Sequence, residues 1–230
     1  VAAEGSQTLE RGLMALRMIA EERDGLTASE VGARLGVHRS VAYRLLGALV
    51  RQGFAAKDDA NRYRVGLAFF TLAELTRPPL LDAARPVLRD LAAELGVTAC
   101  LVVPEGNDAV AVAVVEPPGS GARLSYRVGN RDPLDLGAGG LALLAALPPR
   151  PGEPGRVAEV RARGYALTCE ELIPGVFGVA SPVVRQAHEQ PAAVTTLTHR
   201  EDLARQAVPA VLAAAERLTR ALAAPGPRDH

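Results

Sequence analysis

Between Thr27 and Val65 the chain carries four local signals in an order that few folds can use. Thr27-Ala28-Ser29-Glu30 is a capping box: the threonine hydroxyl can accept from the Glu30 amide while the glutamate reaches back. A short helix follows, with Val31 and Leu35 inward, and Gly36 stops it. A longer helix is predicted from near Arg39 to about Gln52, with Val41, Leu45 and Leu49 as its buried stripe. Ser40, Tyr43, Arg44, Gly47 and Arg51 fall on its opposite face, and the segment holds arginines but no acid. Two β-like runs, Phe54–Lys57 and Arg62–Val65, then flank the polar turn Asp58-Asp59-Ala60-Asn61 and predict a hairpin.

A helix over about residues 7–22 precedes these signals, with Leu9, Leu13, Leu16 and Ala20 on one face and Asp24-Gly25 at its end. Together the segments predict a helix-turn-helix followed by a wing. In that arrangement the second helix lies in the major groove with its N-terminal residues nearest the bases. The candidate DNA-binding residues are therefore Arg39, Ser40, Tyr43, Arg44 and Arg51, with Lys57 and Arg62 on the flanks of the wing. Arginine can donate two bonds to guanine, and hydroxyls suit phosphates or base edges. Asp58 and Asp59 disfavour close approach of the wing tip to DNA.

Composition narrows the partner. Lys+Arg and Asp+Glu both total 26, so any nucleic-acid site must be local. Residues 1–66 hold 10 Lys/Arg against 8 Asp/Glu, and the basic ones cluster. Only 3% of residues are aromatic and none is Trp, which argues against a base-stacking platform for single strands. A chain of 230 residues that is 48% hydrophobic can bury a real core in one large or two small domains. The longest apolar runs fall far short of the roughly 20 residues that span a bilayer. The first residues lack the pattern of a secretory leader, and two cysteines cannot build a disulfide framework, so a cytoplasmic location is expected.

The pattern changes after residue 66. Leu67–Thr76 is apolar on several sides and needs a cover, for which a partner subunit is a candidate. Pro78-Pro79 ends it, and a second helix carries Ala84, Val87, Leu88, Leu91 and Leu95 as far as Gly96. Strands are expected at Val97–Val103, Ala109–Val115, Leu124–Val128, Phe177–Val184 and Ala192–Thr198. Gly129–Gly140 reads as a glycine-bearing loop, with helices at Leu141–Leu147, Val157–Arg163 and about Glu201–Ala223. Pro209 should kink the last helix or set its start. This mixed order predicts an α+β sheet with helices on one side. The expected division is 1–66 for the winged helix-turn-helix, 67–79 for a linking helix and 80–224 for the second domain.

With these segments in order, the sequence resembles the IclR family of bacterial transcriptional regulators over about residues 7–223. The resemblance rests on the Ser40–Leu46 helix, Tyr63-Arg64-Val65-Gly66, and Pro86-Val87-Leu88-Arg89-Asp90-Leu91-Ala92. It continues through Val128-Gly129, Pro133-Leu134, Gly140 and Leu143-Leu144-Ala145, then Arg163-Gly164-Tyr165-Ala166, Glu170-Glu171, Pro174-Gly175-Val176 and Ala180-Ser181-Pro182-Val183. It implies a winged helix-turn-helix, a linking helix used in dimerisation, and a GAF-like C-terminal domain with a mainly antiparallel sheet that binds an effector. The implied partners are a pseudo-palindromic double-stranded DNA operator, read by a homodimer or tetramer, and a small effector, an organic acid or an aromatic. No cofactor and no membrane partner are implied.

Carried over residue by residue, the resemblance assigns effector contacts to Ala138, Gly139, Thr168, Gly178, Thr196 and Thr198. The two threonines alternate around Leu197 and so share a face. Asp135 stands where the family commonly has His, Leu141 where it has Lys, and Gly178 removes a side chain. A pocket with fewer charges and more room is expected from these departures. Gly137, Gly139 and Gly140 match no phosphate-binding pattern and read as turn and packing residues, with amide donation to an anionic ligand at a helix N-terminus as the alternative. Adjacent Glu170 and Glu171, taken as strand residues, would point to opposite sides and could not act as a pair. The rival reading is a small-molecule enzyme or sensor whose N-terminal module binds protein. It would need a nucleophile and base such as Cys100 or Cys169 with His188, and the spacing offers no support. The four histidines show no metal-ligand spacing.

Overall fold

The structure, a computed structural model, describes residues 6–76, 78–118, 124, 126–185 and 189–223. The expected loop at 117–121 lies partly, and the tail at 225–230 wholly, outside the described residues. The chain divides into two units, Val1–Arg77 and Pro78–His230.

The first unit runs α1 (Gln7–Glu21), β1 (Leu26–Thr27), α2 (Ala28–Leu35), α3 (Arg39–Arg51), β2 (Ala55–Lys57), β3 (Arg62–Val65) and α4 (Ala68–Thr76). The capping box is formed: Thr27 Oγ1 accepts from the Glu30 amide at 3.3 Å, and the Thr27 amide donates to Glu30 Oε2 at 2.7 Å. The Thr27 amide first, and then the Thr27 hydroxyl, which donates to Glu30 Oε2 at 2.9 Å, hold the Glu30 carboxyl below its ordinary pKa. Gly36 closes α2 in the left-handed conformation, with φ 64° and ψ 33°, where a side chain would be strained. The Val37 amide donates to the Gly32 carbonyl across this corner at 2.9 Å, and α3 starts two residues later.

The core of this unit joins Ala15 and Ile19 of α1, Val31 of α2, Ala42 and Leu46 of α3, Leu26, and Tyr63 of β3. Two expectations shift. Helix α1 turns Ala15 and Ile19 inward, with Leu16 only partly buried, and leaves Leu9 and Leu13 62% and 52% exposed. In α3, Ala42, Leu45 and Leu46 are buried, while Val41 and Leu49 are only half-buried. The wing is a three-stranded antiparallel sheet in the order β1-β3-β2. Its first strand, only two residues long, had no signal in the sequence.

The second unit runs α5 (Pro79–Leu95), β4 (Thr98–Glu105), β5 (Asp108–Val115), β6 (Arg131–Pro133), α6 (Gly137–Ala146), α7 (Gly155–Arg163), β7 (Ala166–Cys169), β8 (Phe177–Val183), β9 (Ala192–Thr198) and α8 (Glu201–Ala223). The six strands form one antiparallel sheet in the order β6-β5-β4-β9-β8-β7. Helices cover both faces, not one. Leu88 and Leu91 of α5 and Val211 and Leu218 of α8 pack on Leu101, Val179 and Val194. On the other face, Leu141, Ala142 and Ala145 of α6 and Val157 and Val160 of α7 pack on Cys100, Val102, Ala111 and Ala180. The described residues of Leu124–Val128 are not in a strand, whereas Arg131–Pro133 and Ala166–Cys169 are. Helix α6 begins inside the stretch read as a loop, and α8 runs through Pro209 from Glu201. No helix among the described residues is long and apolar enough to cross a membrane.

The Gly36 corner sets how α2 hands on to α3. Gly36→Ala is expected to cost the first unit about 1–2 kcal/mol. Scanning calorimetry should show the N-terminal transition moving down while the other stays in place, and an unmoved transition would show that the corner does not need a left-handed residue.

Candidate functional site

Two places concentrate polar chemistry, one in each unit. The first is the outer face of α3. The imidazole of His38 caps the helix: its Nδ1 accepts from the Ser40 amide at 3.3 Å and lies 2.9 Å from Ser40 Oγ. Arg39, Ser40, Tyr43, Arg44 and Arg51 are all exposed, and the burial of Ala42, Leu45 and Leu46 holds them outward. The three arginines form no ion pair among the described residues. Lys57 joins this face from the wing, its Nζ 5.8 Å from the centre of the Tyr43 ring and 5.7 Å from that of Tyr63.

Arg62 is placed differently. Its Nε and Nη2 donate to the Asp24 and Gly25 carbonyls at 2.9 and 2.8 Å, and Nη2 stands 3.5 Å from Glu30 Oε2. Its guanidinium therefore ties the wing to the loop after α1 instead of joining the exposed face. Arg64 is engaged in a similar way, by the Arg23 carbonyl and by Asp58 Oδ2. Asp58 is part of the turn: its Oδ1 accepts from the Arg62 amide at 2.8 Å, which leads the causes holding its carboxyl below the ordinary range.

The second place is a cavity of about 40 Å³ between the sheet and the first turn of α6. Ala138, Gly139, Thr168 and Gly178 line it, as do Thr195 and Leu197. Thr196 and Thr198 do not, which corrects the expected facing. Thr196 pairs with Ala99 and Val179, both packed under α5 and α8, so it faces away from the cavity. Its Oγ1 is 3.5 Å from the Val179 carbonyl, and Thr198 Oγ1 accepts from the Arg200 amide at 3.2 Å. A shift of one residue along a strand exchanges its faces, and Thr195 takes the position expected of its neighbour.

The expected room is also absent. A Cβ on Gly178 would stand 3.2 Å from Thr168 Oγ1 and 3.3 Å from Ala138 Cβ, so neighbours have closed over the missing side chain. Gly140 carries a packing role: a Cβ there would lie 2.5 Å from the Leu134 carbonyl oxygen. Leu141 is a core residue. The Asp135 carbonyl accepts from Arg156 Nη2 at 2.5 Å.

Three groups in the cavity wall had not been expected. Tyr126 Oη donates to Asp132 Oδ2 at 2.8 Å, and burial raises the tyrosine pKa. Glu171 sits in the loop after β7, not on a strand, and the left-handed Glu170 precedes it. Its Oε2 accepts from the Gly137 amide at 2.9 Å, while Oε1 accepts from Arg156 Nη1 at 2.7 Å. One signal could have revealed it: Leu136 has no side-chain group to cap α6, so its first amides need another acceptor.

The rival chemistry finds no support here. Burial, with Asp132 adding to it, pushes the Cys100 thiol up to about 12, so it stays protonated and unreactive at neutral pH. Cys169 is exposed, and His188 lies outside the described residues. Among the described residues no cluster of His, Cys, Asp or Glu could hold a metal.

A winged helix-turn-helix with an arginine-bearing outer face, carried on one chain with a sheet domain that holds a small, mainly apolar cavity, defines the class of one-chain winged-helix regulators. Family models agree. The IclR helix-turn-helix domain matches residues 8–59, and the C-terminal domain of the bacterial transcriptional regulator IclR matches residues 72–153. The HTH-type transcriptional regulator Rv1719 of Mycobacterium tuberculosis is 36% identical over 146 residues, covering 63% of this chain and 56% of that protein. The chain thus spans little more than half of that relative. BhcR of Paracoccus denitrificans, also an HTH-type transcriptional regulator, is 31% identical over 216 residues, covering 83% of this chain and 77% of its own. An IclR homolog from Microbacterium hydrocarbonoxydans, solved in complex with 4-hydroxybenzoate, superposes with a TM-score of 0.79 at 22% identity, covering 94% of this chain and 99% of its own. The chain belongs to the IclR family of bacterial transcriptional regulators, and its matched relatives are regulators rather than enzymes.

The two kinds of arginine should respond differently to truncation. Arg62→Ala is expected to lower the melting temperature of the first unit by several degrees, since it leaves the Asp24 and Gly25 carbonyls without their donor. Arg44→Ala should leave the melt unchanged. Equal melts for both variants would remove the structural role given to Arg62.

Proposed function

We propose that this chain is an effector-responsive, DNA-binding transcriptional regulator that acts in the cytoplasm on a pseudo-palindromic operator, as a homodimer or tetramer. The observation that carries this reading is the outer face of α3, where Arg39, Arg44 and Arg51 are exposed and, among the described residues, form no ion pair beside Ser40 and Tyr43. In a helix-turn-helix this is the face that enters the major groove, with the N-terminal residues Arg39, Ser40 and Tyr43 nearest the base edges. Arg51 and Lys57 lie where phosphate contacts would fix the register.

A second copy of the chain is the partner proposed for the apolar surface of the first unit. Leu9, Leu13 and Met14 of α1 are exposed, as are Leu67, Phe70 and Leu75 at and along α4. Large apolar side chains left exposed on two helices of one unit suit an interaction site. A two-fold pair would present α3 twice, which matches a palindromic half-site arrangement.

The cavity of the second unit is the proposed effector site, with Ala138, Gly139, Thr168, Gly178, Thr195 and Leu197 in its wall. That the Microbacterium relative was solved with 4-hydroxybenzoate supports the reading that a chain of this fold takes a small-molecule effector. As it stands, about 40 Å³ is far below the roughly 300–1,000 Å³ of ligand pockets, so binding requires the wall to move. That movement is the means of control: an effector shifts the balance between two arrangements only as far as it binds one of them better.

Fluorescence anisotropy with duplexes drawn from the DNA flanking the gene tests the reading. Arg44→Ala should weaken binding by about 1–3 kcal/mol with circular dichroism unchanged. Equal affinity for the variant and the wild type would remove α3 as the recognition element. In sedimentation velocity the wild type should run as a dimer or tetramer, and Phe70→Glu should shift it toward monomer. A wild-type monomer would contradict the assembly.

A further inference from the structure

At the start of α3 the hydrogens of two side chains follow from the positions of their heavy atoms. His38 caps the helix, Ser40 lies in its first turn, and both are exposed. His38 Nδ1 has two polar neighbours, the Ser40 amide nitrogen at 3.3 Å and Ser40 Oγ at 2.9 Å. A backbone amide can only donate. Nδ1 therefore holds a lone pair, and the neutral ring carries its hydrogen on Nε2. An Nδ1 without a hydrogen cannot donate to the serine, so the shorter contact is the Ser40 hydroxyl donating to Nδ1. Neither side chain forms another hydrogen bond or an ion pair among the described residues.

A serine hydroxyl has one hydrogen to give. In Ser40 the imidazole takes it, and the side chain presents only oxygen lone pairs to a partner. Phosphate oxygens, guanine O6 and N7 and thymine O4 also only accept, so none of them can bond this oxygen. The base-edge donors of the major groove are the amino groups of adenine and cytosine. The neighbouring Arg39 has the opposite character, with five donors and no acceptor.

Resting on the reading of α3 as the helix that enters the major groove, we propose that His38 is a positioning residue that fixes Ser40 as a hydrogen-bond acceptor, and that Ser40 reads the amino group of an adenine or cytosine in each operator half-site. Without the imidazole the hydroxyl could turn. It would then donate to the keto oxygen of the same base pair when the amino group is missing, and the selectivity would be lost.

The test starts from duplexes selected out of a random library by the full chain, with affinities then measured by fluorescence anisotropy. Each adenine or cytosine of a selected half-site is replaced in turn by purine or 2-pyrimidinone, the analogues that lack the amino group. One replacement should weaken wild-type binding about fivefold or more, and the same replacement should weaken Ser40→Ala by less than about twofold. Glycine is tolerated at a helix cap, so His38→Gly should still fold and bind, with its response to that replacement reduced to about twofold. His38→Ala gives the same comparison should the glycine form not fold. His38→Asp supplies an acceptor with no hydrogen of its own, and it should keep the wild-type response although its charge weakens binding to every duplex. A role in helix stability alone would lower affinity for all duplexes alike and leave these ratios in place. The inference is overturned, with α3 still the reading helix, if Ser40→Ala feels every amino deletion as the wild type does. The same holds if the glycine and alanine forms keep the full response, or if His38→Asp loses it. A library from which no duplex is enriched removes the reading of α3 itself, and the inference with it.

Discussion

Helix α3 has no freedom to turn about its axis. Ala42 and Leu46 are fully buried, so any rotation would bring Arg39 or Arg44 into the core of the first unit. An unpaired buried guanidinium would cost more than a small unit could bear. The remaining structure of this unit follows from that constraint. Gly36 delivers the chain from α2 at the needed corner, Arg62 ties the wing to the loop after α1, and Lys57 reaches from the wing to the Tyr43 ring of α3. The result is a set of positive charges held on one rigid element, which an anionic rod of regular pitch would recognise.

The second unit solves a different problem. Its sheet is buried on both faces, and the polar groups around the cavity at the start of α6 bond to one another. Glu171, Arg156 and the Gly137 amide do so at the mouth, and Tyr126 and Asp132 do so within.

What was legible in the sequence was mostly local. The capping box, the Gly36 corner, the extent of α3, the hairpin and the start of α8 depend on residues a few positions apart, and all appear where they were expected. The family resemblance supplied the architecture, and the family models agree with it. Longer-range facts were hidden. The buried face of α1 is marked by Ala15 and Ile19, while Leu9 and Leu13 imitate an inward stripe and face outward. Strand β1 is two residues paired with positions far along the chain. The parity of β9 could not be read because threonines occupy positions 195, 196 and 198, on both faces. Helices on both sides of the sheet did leave a trace. Val97–Val103 is apolar at every position but Thr98 instead of alternating, as expected of a strand buried on both faces. Glu171 was out of reach, because its role depends on a helix start 34 residues earlier.

The central claim is that the outer face of α3 meets phosphates and bases of duplex DNA. Its most direct test is the salt dependence of duplex affinity for the wild-type protein. The account predicts that the logarithm of the association constant falls steeply and linearly with the logarithm of salt, by about 0.9 for each phosphate neutralised. A flat dependence, or the absence of duplex binding at low salt, would contradict it.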